Sequence, residues 1–244
     1  MQQVFVENKN VDNCFIIGGE DAFHLIKVVR IKPGEKVRVS TSQSSYICKV
    51  KDIDGESVIL DIVCEDENTE LSNKIYLFQA IPKGDRFEGI IEKCVELGVY
   101  EIIPVEMKNC VVRLDDKKKA SRIKRYQAIA DTAARQSKRS LQPIVKDVMN
   151  YKEALEYARA NCTVKLLPYE CAKGMTNTFE VLDSINKDDN IAVFVGPEGG
   201  FDSMEINLAS DFEVISLGKR ILRTDSAAIC MASMLMLKSE ELNL

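Results

Sequence analysis

Residues 191–201, IAVFVGPEGGF, place an apolar run directly before a glycine-rich turn, and the helix-forming stretch SMEINLA follows at 203–209. A strand that leads through a tight turn into a helix is the repeating unit of α/β folds, whose ligands lie at the carboxyl ends of the strands. The turn matches neither the Walker phosphate loop nor the Gly-x-Gly-x-x-Gly dinucleotide motif. It has no lysine and carries Glu198, so we expect a ligand that is neutral or cationic near the turn. A tight turn that needs glycine only for its backbone conformation is the alternative.

Strands and helices alternate from residue 74 onward, which predicts a parallel sheet with helices on both faces. The spacing of five apolar residues at 87, 90, 91, 94 and 95 places them on one helical face, and Gly98 suits the end of that helix. A second helix is expected from about Ser121 to a point before Pro143. The predicted strands are residues 74–81, 99–105, 163–169, 191–195 and 213–217, and the other predicted helices are 179–185, 203–209 and 225–237.

The first seventy residues predict a different domain, a small β-barrel. Short runs rich in Val and Ile alternate with turn sequences such as KPGE and DIDGES. The predicted strands are residues 3–6, 14–17, 36–40, 45–53 and 57–63. The acidic stretch CEDENTELSN, 64–73, then marks a boundary, so we expect domains at 1–70 and 74–244.

Two further strand-end loops accompany the glycine-rich turn. The first is LLPYE, residues 166–170, and the second is SLGKRIL, residues 216–222, which leads through Arg223 into the last helix. Because the carboxyl ends of parallel strands meet at one edge of a sheet, the three loops are expected to wall one pocket. Thr224 is expected to be the N-cap of the last helix.

The last helix, within SAAICMASMLMLK, is apolar nearly all round. A helix without a polar face needs cover on every side. Either the helix lies deep in its domain or a second subunit covers it, and we favour a homodimer.

Composition narrows the class of protein. The chain has 244 residues, 45% of them hydrophobic and 29% charged. No apolar run is long enough to span a membrane, and the first ten residues, MQQVFVENKN, lack an apolar core, so we expect neither a membrane span nor a signal peptide. Its eight cysteines form no Cys-x-x-Cys pair, and there is one histidine, so we expect reduced core cysteines, no metal site and a cytoplasmic protein.

The net charge of −5 hides an uneven distribution. Residues 117–146 contain ten Lys or Arg and one acid, whereas residues 52–70 contain eight acids and no Lys or Arg. A basic face of this kind can bind phosphates whatever the total charge, although a solvated helix face is the simpler interpretation.

The paired motifs FVGPEGGF and SLGKRILRTDSA resemble those of SPOUT-class methyltransferases, and more narrowly the RsmE-type family, which methylates N3 of a uridine in 16S ribosomal RNA. The segments HLIKVVRIKPGE, IPKGDRFEGIIEKCVELGV and ARQSKRSLQPIV extend the resemblance over nearly the whole chain. It implies a PUA-like β-barrel that binds RNA, followed by an α/β domain with a C-terminal trefoil knot. It also implies a homodimer with a role in rRNA processing.

The same resemblance, together with the chemistry, supplies candidate site residues. S-Adenosylmethionine carries a sulfonium cation and needs no phosphate-binding lysine. Residues expected to bind it are Leu167, Tyr169, Glu170, Val195, Gly196, Pro197, Gly200, Leu217, Gly218, Ile221, Leu222 and Thr224. Arg223 is the candidate cation for the charge that develops on the uracil oxygens, and Glu198 is the candidate base. Glu198 has an alternative role as a turn carboxylate that accepts backbone N–H groups or supports the helix that follows.

RNA contacts are expected from basic residues in both domains. The set comprises His24, Lys27, Arg30, Lys32, Lys83, Arg86, Arg122, Arg125, Lys138, Arg139 and Arg220. His24 is equally consistent with a buried structural imidazole, and Arg220 with a partner acid at a dimer interface. Two positions depart from the family pattern: Lys219 stands where proline is frequent, and Arg135 where an acid is common.

Two other functions are alternatives to the methyltransferase, a dinucleotide-dependent dehydrogenase and a protein that only binds RNA. A dinucleotide-dependent dehydrogenase requires a Gly-x-Gly-x-x-Gly motif, which the sequence lacks. A protein that only binds RNA needs the barrel and the basic helix but not three converging loops. A methyltransferase of the same class with another RNA substrate also remains open.

Overall fold

The computed structural model describes residues 1–6, 14–112, 115–172 and 174–244. Its backbone contacts divide the chain into two units. The first unit contains residues 1–70 together with 134–142, and the second contains residues 71–133 and 143–244.

The first unit is built on a five-stranded sheet in the order β1-β3-β4-β5-β2. Its strands are β1 (Gln2–Phe5), β2 (Cys14–Ile17), β3 (Lys36–Ser40), β4 (Ser45–Asp54) and β5 (Ser57–Asp66). The pairing is antiparallel except between β1 and β3. All five strands coincide with predicted strands, because alternating Val and Ile residues turn one face toward a buried core.

A helical segment between β2 and β3 was not predicted. Helix α1 (Gly19–Phe23) continues directly into a π-helix, His24–Val29, which ends at Arg30 in a left-handed conformation with φ of 56°. Ala22 and Leu25 pack into the core of the first unit. The segment is short and carries three β-branched residues, Ile26, Val28 and Val29, so its sequence resembles a strand as much as a helix.

A buried arginine network ties residues 134–142 into the first unit. The Arg38 guanidinium, 2% exposed, donates to Asp66 at 2.6 Å and to the backbone carbonyls of Lys138 and Arg139. Arg139, 3% exposed, is paired with Glu70. These charges are stable in the interior because each is paired and hydrogen-bonded.

The second unit is built on a seven-stranded, wholly parallel sheet. The order is β12-β10-β11-β6-β7-β8, and β9 also pairs with β7. Its strands are β6 (Lys74–Ala80), β7 (Glu101–Glu106), β8 (Ile144–Val145), β9 (Met149–Asn150), β10 (Val164–Pro168), β11 (Asn190–Val195) and β12 (Glu213–Ile215). Strands of such a sheet are apolar on both faces, which explains runs such as IYLF and IAVFV.

Helices cover the sheet as the alternating pattern predicts. They are α2 (Arg86–Glu96), α3 (Asp116–Gln136), α4 (Tyr151–Asn161), α5 (Thr176–Asp183), α6 (Ser203–Leu208) and α7 (Thr224–Glu241). The five predicted apolar residues of α2 are buried. Gly98 ends this helix with φ of 92°, where a Cβ atom would also stand 2.6 Å from Leu71.

Helix α7 is partly buried and partly accessible. It packs against α2, β6 and β11, and Ala228, Met231 and Leu235 are buried. Leu237, by contrast, is 64% exposed. The predicted N-cap is wrong by one residue: Arg223 is the N-cap, Thr224 is the first helical residue, and its hydroxyl is used elsewhere.

The eight cysteines are all free thiols, as expected. Only four of them, Cys48, Cys94, Cys110 and Cys162, are core residues, and Cys64 and Cys171 are exposed. Burial raises the pKa of the Cys94 thiol to about 12. Within the described ranges of the chain, no helix is both long and apolar enough to cross a membrane.

Candidate functional site

A cavity of about 640 Å³ lies at the carboxyl edge of the parallel sheet. Three loops line it: residues 168–170 after β10, 195–201 after β11 and 216–224 after β12. These three strands are neighbours in the sheet, with β10 in the middle. The convergence predicted from the sequence is therefore confirmed, and the volume is that of a small-molecule site.

The glycine-rich turn has little free space behind its backbone. Gly200 has φ of 69°, and a Cβ atom there would stand 2.5 Å from a carboxylate oxygen of Glu170. A Cβ atom on Gly196 would stand 3.0 Å from the Phe201 ring. At Gly200 the left-handed backbone favours glycine, whereas at Gly196 a Cβ atom would press on the Phe201 ring.

Residues after β7 support the turn from one side. The Asn109 side chain donates to the carbonyls of Gly199 and Gly200 at 3.2 and 3.1 Å. Lys108 forms an ion pair of 2.8 Å with Asp202, the N-cap of α6. The hydrogen bond from Lys108 is the main reason why the pKa of Asp202 is lowered. Sequence reasoning missed both residues, because no motif marks them.

A hydrogen-bond relay joins the turn to the start of α7. The Thr224 hydroxyl donates to the Gly196 carbonyl at 2.7 Å and accepts from Gln79 Nε2 at 2.8 Å. Gln79 is fully buried at the end of β6, and Nε2 also donates to Ala80 O at 2.9 Å. Thr224 is thus a positioning residue for the turn. The sequence marks Gln79 as unusual only because it is a polar residue inside the apolar run YLFQAI.

Glu198 is held by two donors. Its Oε1 accepts from the Lys83 backbone N–H at 3.2 Å and from the Arg86 guanidinium at 3.1 Å. This contact corresponds to the alternative role of Glu198, a turn carboxylate that accepts a backbone N–H. Arg86 lines the cavity as well, whereas Lys83 is exposed.

Most of the expected cofactor residues line the cavity. These are Tyr169, Glu170, Val195, Gly196, Pro197, Gly200, Leu217, Gly218, Ile221, Leu222 and Thr224, and both catalytic candidates, Arg223 and Glu198, line it too. Leu167 does not line the cavity, because its side chain packs into the hydrophobic core on one face of the sheet and is fully buried.

Tyr169 lies on the cavity wall as a neutral phenol. Its hydrogen bond with Cys171 is the main reason why the pKa of Tyr169 is raised. An un-ionised phenol can donate a hydrogen bond and does not add negative charge to the site.

The basic residues expected to bind RNA have different environments. In the first unit, His24, Lys27, Arg30 and Lys32 are exposed, so His24 is not a buried structural imidazole. In the second unit, Arg125 pairs with Glu88 at 2.8 Å and remains accessible. Arg220 is exposed and lines the cavity. Arg122 is half-buried, and so is Lys138, whose Nζ donates to Met1 O.

Arg139 is a correction to this set. The residue is 3% exposed and forms an ion pair with Glu70 inside the first unit. A phosphate would have to break that buried pair, so Arg139 is structural. Arg135, which departs from the family pattern, pairs with Asp21 at 3.1 Å in the same unit.

The comparisons with known proteins agree with this architecture. The RNA methyltransferase domain family matches residues 69–236, and the RNA methyltransferase PUA domain family matches residues 17–63. The ribosomal RNA small subunit methyltransferase E of Mesomycoplasma hyopneumoniae (strain 232) is 38% identical over 92% of this chain and 95% of its own length. The chain belongs to the ribosomal RNA small subunit methyltransferase E family.

Two further relatives of this methyltransferase E family cover nearly all of the chain. The Bacillus subtilis (strain 168) protein of that name is 32% identical over 98% of both chains. A crystal structure of a ribosomal RNA small subunit methyltransferase E from Neisseria gonorrhoeae, bound to S-adenosyl methionine, has a TM-score of 0.81 at 29% identity and covers 97% of both chains. The family and the α/β fold with a PUA-like domain are therefore confirmed.

Proposed function

We propose that this protein is an S-adenosylmethionine-dependent methyltransferase that acts on N3 of a uridine in 16S ribosomal RNA. The observation that carries the proposal is the single cavity formed by the ends of three adjacent parallel strands. The family to which the chain belongs includes a member crystallised with this cofactor.

The cavity residues fit S-adenosylmethionine. Leu217, Ile221 and Leu222 supply apolar surface for an adenine ring, and the glycine-rich turn brings backbone groups to the cavity wall without side chains in the way. Glu170 and Glu198 provide carboxylates for a cationic ligand. The bound cofactor supplies an electrophilic methyl group.

Uridine N3 becomes a good nucleophile only after its proton has left, and negative charge then spreads over the two carbonyl oxygens of the base. Arg223 is accessible at the cavity and stays charged at neutral pH, so its guanidinium is suited to stabilise that charge. Glu198 is the candidate acceptor of the N3 proton. Since its Oε1 already holds two hydrogen bonds, that role falls to Oε2.

Residues 1–70 are proposed as the RNA-binding domain and residues 74–244 as the catalytic domain. The exposed residues His24, Lys27, Arg30 and Lys32 of the first domain contact phosphates, which position RNA without reading its sequence. Outside residues 1–70 the same role is assigned to Lys83, Arg86, Arg122, Arg125, Lys138 and Arg220. A target uridine must be unpaired and turned outward to enter the cavity.

We propose further that the protein is a cytoplasmic homodimer with a trefoil knot at its C-terminus. The half-buried and exposed apolar residues of α7, such as Leu237, supply surface for a second subunit. The loop after β12 returns to the turn after β11, where Thr224 contacts Gly196. This return is consistent with a threaded chain.

Mass spectrometry of 16S ribosomal RNA from cells that lack the gene tests the reaction and its target together. The expected result is the loss of one N3-methyluridine, restored by the wild-type gene but not by an Arg223→Ala variant. An unchanged nucleoside profile in the deletion strain would contradict the proposed function.

A further inference from the structure

The helical segment of the first unit, residues 19–29, exposes two large apolar side chains. Phe23, the last residue of α1, is 62% exposed, and Val28 is 61% exposed. Leu25, between them in sequence, is buried, and Ile26 and Val29 pack partly against the core. The side chains of Phe23 and Val28 therefore point away from the core, and the exposed side chains of residues 23–30 are called the outward face below.

This outward face also carries basic side chains. His24 and Lys27 lie between Phe23 and Val28 and are exposed, and Arg30 follows at the end of the π-helix. Helix α1 carries two acids: Asp21 forms an ion pair of 3.1 Å with Arg135, which offsets its charge, and Glu20 is exposed. An aromatic ring among basic side chains is the arrangement that binds single-stranded nucleic acid, where bases stack and phosphates pair with cations.

The backbone conformation gives a second argument. A π-helix is rare in proteins and less stable than an α-helix, and it occurs frequently at functional sites. Here it runs for six residues and ends at Arg30, a non-glycine residue with φ of 56°. If α1 continued as an α-helix beyond Phe23, the side chains of residues 24–30 would point in other directions. The wider helix therefore determines which side chains join Phe23 on the outer face.

We propose that Phe23 stacks on an unpaired base of the substrate RNA, with Val28 beside it and with Lys27 and Arg30 on the neighbouring phosphates. This inference rests on the proposed function, since it assigns a base-contacting residue to the same RNA. Because stacking tolerates any base, Phe23 contributes affinity and the placement of the strand rather than sequence recognition.

The natural chain has no tryptophan, so a Phe23→Trp variant contains a single fluorescent indole. Titration with small ribosomal subunits from cells that lack the gene should quench this fluorescence, because stacking brings a base onto the indole. A Val63→Trp variant is the matched control, since Val63 is 55% exposed on β5 of the same unit. The control should change little. Equal responses of the two variants would overturn the proposal.

Affinity gives an independent measurement. Phe23→Ala should weaken binding to the subunits by about 5- to 150-fold, and Phe23→Tyr should restore most of it. Binding of S-adenosylmethionine to both variants should stay unchanged in calorimetry. If the wild-type protein methylates the subunits and Phe23→Ala binds them equally well, the stacking proposal fails while the proposed function stands. If the wild-type protein has no methylation activity, the proposed function fails first.

Crosslinking identifies the partner. A photoreactive benzoylphenylalanine in place of Phe23 should crosslink to 16S ribosomal RNA in the subunit. A crosslink to a ribosomal protein instead would overturn RNA stacking and assign this face to a protein partner.

Discussion

Thr224→Val removes one hydroxyl and keeps the shape of the side chain, so it isolates the relay between Gln79, Thr224 and Gly196. The wild-type hydroxyl makes two hydrogen bonds, of 2.8 and 2.7 Å, at a residue that is 5% exposed. Gln79 is fully buried, so one of its N–H donors is left without a partner, at a cost of about 1–3 kcal/mol. Gly196 is half-buried, and the loss of the hydrogen bond to its carbonyl lowers the unfolding free energy by about 1 kcal/mol. The expected loss of unfolding free energy is about 2–4 kcal/mol.

The variant should also bind S-adenosylmethionine less tightly. Releasing the Gly196 carbonyl frees about one residue of the turn, and ordering it again on binding costs about 1–2 kcal/mol. This cost corresponds to a rise in the dissociation constant of about tenfold.

Urea denaturation and calorimetric titration with S-adenosylmethionine measure the two effects. Thr224→Ser is the matched control, because it keeps the hydroxyl and removes only a methyl group. It should lose about 1 kcal/mol of stability and bind the cofactor almost normally. If Thr224→Val is as stable as Thr224→Ser and binds the cofactor equally well, the relay does not position the turn.

Three further changes test other parts of the account. Gly200→Ala should weaken cofactor binding at least tenfold in calorimetry. The φ of 69° at this position is strained for alanine, and the new Cβ would stand 2.5 Å from a carboxylate oxygen of Glu170. Wild-type affinity would show that the turn is not part of the site. Gly89→Ala, in the open middle of α2 with nothing within 4 Å of the new Cβ, should raise the unfolding free energy by about 0.5–1 kcal/mol, and a loss of stability would contradict the packing. With a thiol reagent at pH 8, the exposed Cys64 and Cys171 should react within minutes, whereas Cys94, whose pKa burial raises to about 12, should react only after unfolding. Rapid labelling of Cys94 in the native protein would refute its burial.

The parallel sheet could be predicted because strands and helices alternate from residue 74 onward, and a helix between two strands leaves them parallel. The sequence predicted the cavity because three strand ends carry glycine-rich or proline-containing loops. It missed α4, although Asn150 and Glu153 form a capping box and Tyr151, Ala154 and Leu155 have helical spacing.

Other features could not be predicted from local patterns. The support of the turn by Asn109, and the burial of Arg139 against Glu70, depend on contacts between residues 69 or more positions apart. The π-helix that exposes Phe23 depends on how Leu25 and Ile31 pack into the core. Tertiary packing decides such details, and a basic segment alone does not reveal which of its arginines are buried.

The loops after β10, β11 and β12 are proposed to form the site for S-adenosylmethionine. A crystal structure of this protein grown with the demethylated product, S-adenosylhomocysteine, decides whether they do. We expect electron density for the nucleoside between Gly196, Gly218 and Leu222, with Arg223 and Glu198 facing the sulfur. Density for the ligand at any other place on the protein would contradict it.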